Sequence, residues 1–139
     1  MKRNIAIALF GLASLAAASG AFAQDSGAQV NVPFAFSVSN TTLPAGQYRV
    51  IANSSQTILI RAVDQPRLAA LSTFIAYEQA RSGDCNLVFH KYGERYFLNQ
   101  VLCPSRAVSV DLPITHREKR ARMLEARGPV EDSVLLAMR

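Results

Sequence analysis

A chain of 139 residues carrying 15 Lys and Arg against 10 Asp and Glu, net +5, has room for one modest core, and one domain is expected. Lys2 and Arg3 belong to a removable leader. Arg117, Lys119, Arg120, Arg122 and Arg127 against Glu118 and Glu125 then leave +3 between Thr115 and Arg127, so the rest of the mature chain is neutral. The excess marks one basic segment and excludes a broadly basic surface.

Residues 1–23 read as a secretory signal peptide. Lys2 and Arg3 form the positive start, Ile5 to Leu15 an apolar run, and Ala21-Phe22-Ala23 a small-x-small cleavage site before Gln24. Gly11, Ser14, Ser19 and Gly20 interrupt the run, which falls short of the ~20 apolar residues of a membrane span. No cysteine lies near the cut to be lipidated, so a soluble exported protein with no transmembrane segment after cleavage is expected. Residues 24–29 read as a flexible leader and 30–139 as a single β-rich domain.

Val30, Val32, Phe34, Phe36 and Val38 alternate with smaller or polar residues, the period of a strand with one buried face. Pro33 cannot donate to a ladder and places this strand at an edge or a bulge. Asn40 to Gly46 reads as a turn, followed by a hairpin of 47–52 and 57–62 around Asn53-Ser54-Ser55. Residues 67–77 fit either a helical stripe or a strand. Their Thr, Phe, Ile and Tyr favour the strand. Residues 85–92 and 96–103 form the clearest hairpin, turning on Gly93-Glu94-Arg95, and 107–112 adds one further strand. Thr115 and Glu118 have the spacing of a capping box, predicting a helix over about 115–127 before Gly128-Pro129. Residues 130–139 then form a last edge strand or a frayed tail.

With the hairpin turn centred on Glu94, Tyr92 faces Tyr96, His90 faces Leu98 and Cys85 faces Cys103. A cross-strand disulfide is the natural outcome in an oxidising compartment, stabilising by about 3 kcal/mol on the chain-entropy model. A redox or metal-binding thiol pair lacks the Cys-x-x-Cys spacing and a following histidine at ligand distance. The same register puts Leu87, Phe89, Phe97 and Val101 on the disulfide's face. Val88, His90, Tyr92, Tyr96, Leu98 and Leu102 share the other. That second face is unusually apolar for a solvent side and calls for a covering sheet, the C-terminal helix, or a ligand or partner.

The search for chemistry is short. His90 and His116 are the only histidines, and Glu118 is the one nearby residue able to join either at a metal. No nucleophile elbow, His-Glu-x-x-His, phosphate-binding loop or dinucleotide fingerprint occurs, and the carboxylates fall mostly in turns. No catalytic, cofactor-binding or metal site is nominated. Tyr92 and Tyr96 beside Lys91 and Arg95 could stack on a nucleic acid or glycan, but they are also ordinary cross-strand neighbours, and export argues against nucleic acid. Arg117, Lys119, Arg120 and Arg122 are the candidates for contact with an anionic envelope polymer or surface. The competing reading is a solvated helix face.

Three segments, Val32-Pro33-Phe34-Ala35-Phe36-Ser37-Val38, Leu43-Pro44-Ala45-Gly46-Gln47-Tyr48-Arg49-Val50 and Leu87-Val88-Phe89-His90-Lys91-Tyr92-Gly93-Glu94-Arg95-Tyr96-Phe97-Leu98, carry a resemblance. Together they resemble a group of short, secreted bacterial proteins of uncharacterised function with Pro-Phe-x-Phe, Leu-Pro-Ala-Gly-x-Tyr and Phe-His-x-Tyr-Gly-x-x-Tyr-Phe-Leu motifs in this order. The resemblance implies a shared β-rich fold and carries over no activity.

The expectation is a mainly β protein, an antiparallel sandwich or flattened barrel of about seven or eight strands with one short C-terminal helix. Its expected role is non-catalytic binding or scaffolding in the periplasm or outside the cell, with an envelope protein or anionic polymer as partner. The alternatives are a small apolar-ligand carrier using a barrel mouth or the second sheet face and, remotely, an enzyme with a site assembled from distant loops.

Overall fold

The computed structural model describes residues 27–77, 84–103, 108–125 and 132–138; the expected signal peptide and leader residues 24–26 lie outside them. In chain order the elements are β1 (Ala28–Val32), β2 (Phe36–Val38), β3 (Thr41–Leu43), β4 (Gly46–Ala52), β5 (Thr57–Ala62), β6 (Ala69–Thr73), β7 (Ile75–Tyr77), β8 (Asn86–Tyr92), β9 (Arg95–Cys103), β10 (Val108–Asp111), α1 (His116–Glu125) and β11 (Asp132–Ala137). The fold is mainly β: two curled sheets with one short helix near the C-terminus. The first sheet has the order β1-β4-β5-β6 and the second β11-β8-β9-β10-β7, with the β2–β3 hairpin attached to β9. β1 approaches β11 on one side and β6 approaches β2 and β3 on the other, so the sheets enclose a common core.

Eleven strands among the described residues replace the seven or eight expected, because the chain changes sheets where the sequence reads as continuous. Pro33 has no N–H to extend the ladder, so the expected strand over 30–38 divides into β1 in the first sheet and β2 in the second. β1 also begins at Ala28, inside the stretch expected to be a leader. The ambiguous segment over 67–77 is strand, broken at Phe74: β6 pairs with β5, while β7 pairs with β10 across the core. The expected turn over 40–46 contains β3, and the residue just before it, Ser39, is left-handed (φ 53°). The pairing is antiparallel except between β2 and β9. Residues 132–137 form the edge strand beside β8, and the helix spans 116–125, its expected last residues lying outside the described ones.

The central hairpin departs from the expected register. From Asn86↔Leu102 to Val88↔Gln100 the pairing is as expected, and it brings the cysteines together: Cys85 and Cys103 are disulfide-bonded with Cα atoms 4.1 Å apart. A bulge between Val88 and Phe89 then shifts it to Phe89↔Leu98, His90↔Phe97 and Tyr92↔Arg95. The loop shortens to Gly93-Glu94, and Gly93 takes the positive φ (59°) that the first position of a tight hairpin turn reserves for glycine. One extra residue on β9 reverses the facing of the β9 side chains between the bulge and the turn, while those of β8 keep theirs. Leu98 thus joins the main core and Tyr96 packs against it, while Phe97 moves to the outer face.

Five aromatic rings cross the interior. Tyr48 meets Phe36 edge-on at 5.1 Å, Phe36 meets Phe89 at 5.4 Å, Phe89 meets Phe34 at 5.2 Å, and Phe34 stacks on Tyr96 at 3.8 Å. Tyr48 is 1% exposed and its hydroxyl donates to the Pro44 carbonyl at 2.6 Å, tying β4 to the turn before it. Burial pushes the Tyr48 hydroxyl above its ordinary pKa.

Two outcomes follow from this packing. Replacing both Cys85 and Cys103 by Ser should lower the unfolding free energy by about 3 kcal/mol in a denaturant titration. Because the Tyr48 pKa is raised on folding, its contribution is intact below the ordinary tyrosine value of about 10 and lost as pH rises through the folded value. Tyr48→Phe should therefore cost about 1 kcal/mol at neutral pH through the lost hydrogen bond and flatten the fall in stability above about pH 10.

Candidate functional site

The second sheet's outer face, beneath α1, gathers the polar side chains that carry chemistry. Thr115 caps the helix, accepting the Glu118 backbone N–H at 3.2 Å on its hydroxyl. The Glu118 side chain turns inward. Its Oε1 lies 2.8 Å from His90 Nδ1, and the Tyr92 hydroxyl lies 3.4 Å from both atoms. With the carboxylate as acceptor, His90 donates through Nδ1. Glu118 is 4% exposed and His90 18%. Two donors and the positive end of the helix dipole offset the desolvation of a carboxylate so deeply placed.

One turn further along the same helix face, Ala121 packs into a small apolar cluster with Tyr92 and Phe97. The helix's last turn comes down on the hairpin tip: a Cβ on Gly93 would stand 2.7 Å from Glu125 Oε1. Glycine is required there by its backbone angle; the Glu125 carboxylate, at the end of an exposed and flexible side chain, can move aside. The remaining face of α1 is polar, with Met123 and Leu124 exposed.

Of the six residues expected on one apolar face, Val88, His90, Tyr92 and Leu102 keep the predicted side, and α1 covers the Tyr92 end. Tyr96 and Leu98 are corrected to the core side by the bulge; Tyr96 stacks on Phe34, and Lys91 lies over its ring at 5.7 Å. Gln100 Nε2 donates to Asp111 Oδ1 at 2.7 Å. Glu118, which meets His90 at 2.8 Å, reads in the sequence as a helix-capping residue. Its spacing to Ala121, one helical turn on, was the signal that both lie on a buried face.

The four basic candidates separate. Arg117 donates to the Asn40 carbonyl at 3.0 Å and to Thr42 Oγ1 at 3.2 Å, pinning the start of α1 to the β2–β3 hairpin. Arg120 lines a groove with Arg95, which the sequence reading did not nominate for this role. Lys119 and Arg122 are exposed on the helix outside that groove. Among the described residues no three His, Cys, Asp or Glu side chains gather to hold a metal ion, and no helix is long and apolar enough to cross a membrane. The disulfide is compatible with an oxidising location.

No family model, curated protein or solved structure matches the chain.

Glu118→Ala removes the acceptor shared by His90 and Tyr92 and should destabilise by about 2 kcal/mol, against less than about 0.5 kcal/mol for Lys119→Ala. Hydrogen exchange should speed up first at the helix amides of 116–121, while the β4–β5 amides stay protected.

Proposed function

We propose that the protein works after export as a non-catalytic β-domain with a binding or scaffolding role in the periplasm or outside the cell. The observation that carries this reading is the use of His90, Tyr92 and Glu118 inside the body, where they clasp α1 to the sheet. The histidine nitrogen nearest a carboxylate is committed to it, and the pair serves the attachment of a helix. The disulfide at the far end of the same hairpin fits an oxidising compartment and supports the exported reading.

The sheet face available to an apolar-ligand carrier is smaller than the sequence suggests, which supports the binding reading over that version of the carrier. The Tyr92 end of the apolar face is covered by Ala121, and Leu98 packs into the core. Recognition on the helix side then falls to its exposed basic residues and the adjoining hairpin tips, which suit an anionic partner better than an apolar one.

Native mass spectrometry of the chain expressed with its own leader and purified from the envelope fraction tests this reading. The expected species starts at Gln24, is lighter by the two hydrogens lost to the disulfide, and carries a stoichiometric partner. Retention in the cytosol with both thiols free would overturn the exported reading, and a co-purifying apolar small molecule would restore the carrier.

A further inference from the structure

We propose that the groove between the β8–β9 tip, the β2–β3 hairpin and the first two turns of α1 binds a small molecule carrying a phosphate group. This rests on the binding role proposed above and names its ligand class. The groove is half open to solvent and has a volume of about 510 Å³, within the range of small-ligand sites. Arg95 enters it from the hairpin tip, Arg117 and Arg120 from the helix, and the hydroxyls of Ser37 and Thr42 from the β2–β3 hairpin. His116 completes the helix wall.

Charge complementarity favours phosphate. Three guanidinium groups against the single carboxylate of Glu94 on the rim leave a local charge of +2, and a phosphate monoester carries about −2 at neutral pH. Glu118, the acidic residue of the helix's first turn, would lower that charge if it faced outward. It is instead turned inward onto His90. Arg117 donates through both terminal nitrogens to Asn40 and Thr42, so its positive charge is fixed beside the groove before a ligand arrives. Arginine forks match the oxygen geometry of phosphate and can bond it bidentately, while the Ser37 and Thr42 hydroxyls, bonded to each other at 3.4 Å, leave one O–H to donate to a remaining oxygen.

The test is a titration of the exported, disulfide-bonded protein with inorganic phosphate at low ionic strength, followed by NMR. Saturable binding with shifts at the Arg95 and Arg120 Nε signals and at the amides of Ser37 and Phe97 is expected. Arg95→Ala/Arg120→Ala should weaken it at least about tenfold, while Lys119→Ala/Arg122→Ala, which removes the same charge outside the groove, should weaken it less than about twofold. Equal weakening by both pairs, or no saturable shift within the millimolar range, would overturn the site. Binding to anionic lipid vesicles without binding to phosphate would overturn it too, in favour of a membrane surface. A partner found by native mass spectrometry alongside a failed phosphate titration would remove this groove and leave the binding role standing.

Discussion

The two sheets are joined through one line of aromatic rings, Tyr48, Phe36, Phe89, Phe34 and Tyr96, and the remaining packing is arranged around it. Tyr48 comes from the first sheet; Phe36, Phe89 and Tyr96 come from the second; Phe34 lies in the bend between β1 and β2, where Pro33 ends the first ladder. Edge-to-face contacts between such rings add directional preference to the large area each buries. The segments over 32–38, 43–50 and 87–98 therefore meet at one place, where each delivers a ring to the same interior.

That line also accounts for the bulge. Phe89 must point inward to touch Phe34 and Phe36, and Tyr96 must reach Phe34 from the neighbouring strand. In an unbroken register from the disulfide, Phe97 would face inward with Phe89. The extra residue on β9 puts Leu98 opposite Phe89 and sends Phe97 outward beside Tyr92. An apolar patch is thereby created on the outer face, and Ala121 is small enough to let the helix approach it. The helix brings Glu118 to His90 and Arg117 to the β2–β3 hairpin, and leaves Lys119 and Arg122 to solvent. The groove with Arg95 is a consequence of this chain of placements.

Much of the architecture was legible because alternation, turn residues and cysteine spacing are local. The hairpins over 47–62 and 85–103, the disulfide, the capped helix and the strand preference of 67–77 all follow from neighbours a few residues apart, or from a register counted from one turn. The breaks at Pro33 and Phe74 were less so. Proline announces an interruption, yet nothing local says that the chain will resume in another sheet, and Phe74 is unremarkable as a strand residue. The bulge at Val88 and Phe89 was invisible for a related reason: a one-residue shift changes no composition, and what selects it is ring packing between segments some fifty residues apart.

From its amino acids alone the chain specifies a mainly β body, a bridging disulfide and one basic helix near the C-terminus, since periodicity, thiol spacing and charge are properties of the covalent order. Which sheet each strand joins, which side of the hairpin faces the core, and which carboxylate reaches His90 were decided only in three dimensions. Those outcomes depend on contacts between residues far apart in the chain, whose free energy exists only once the sheets have closed on one another.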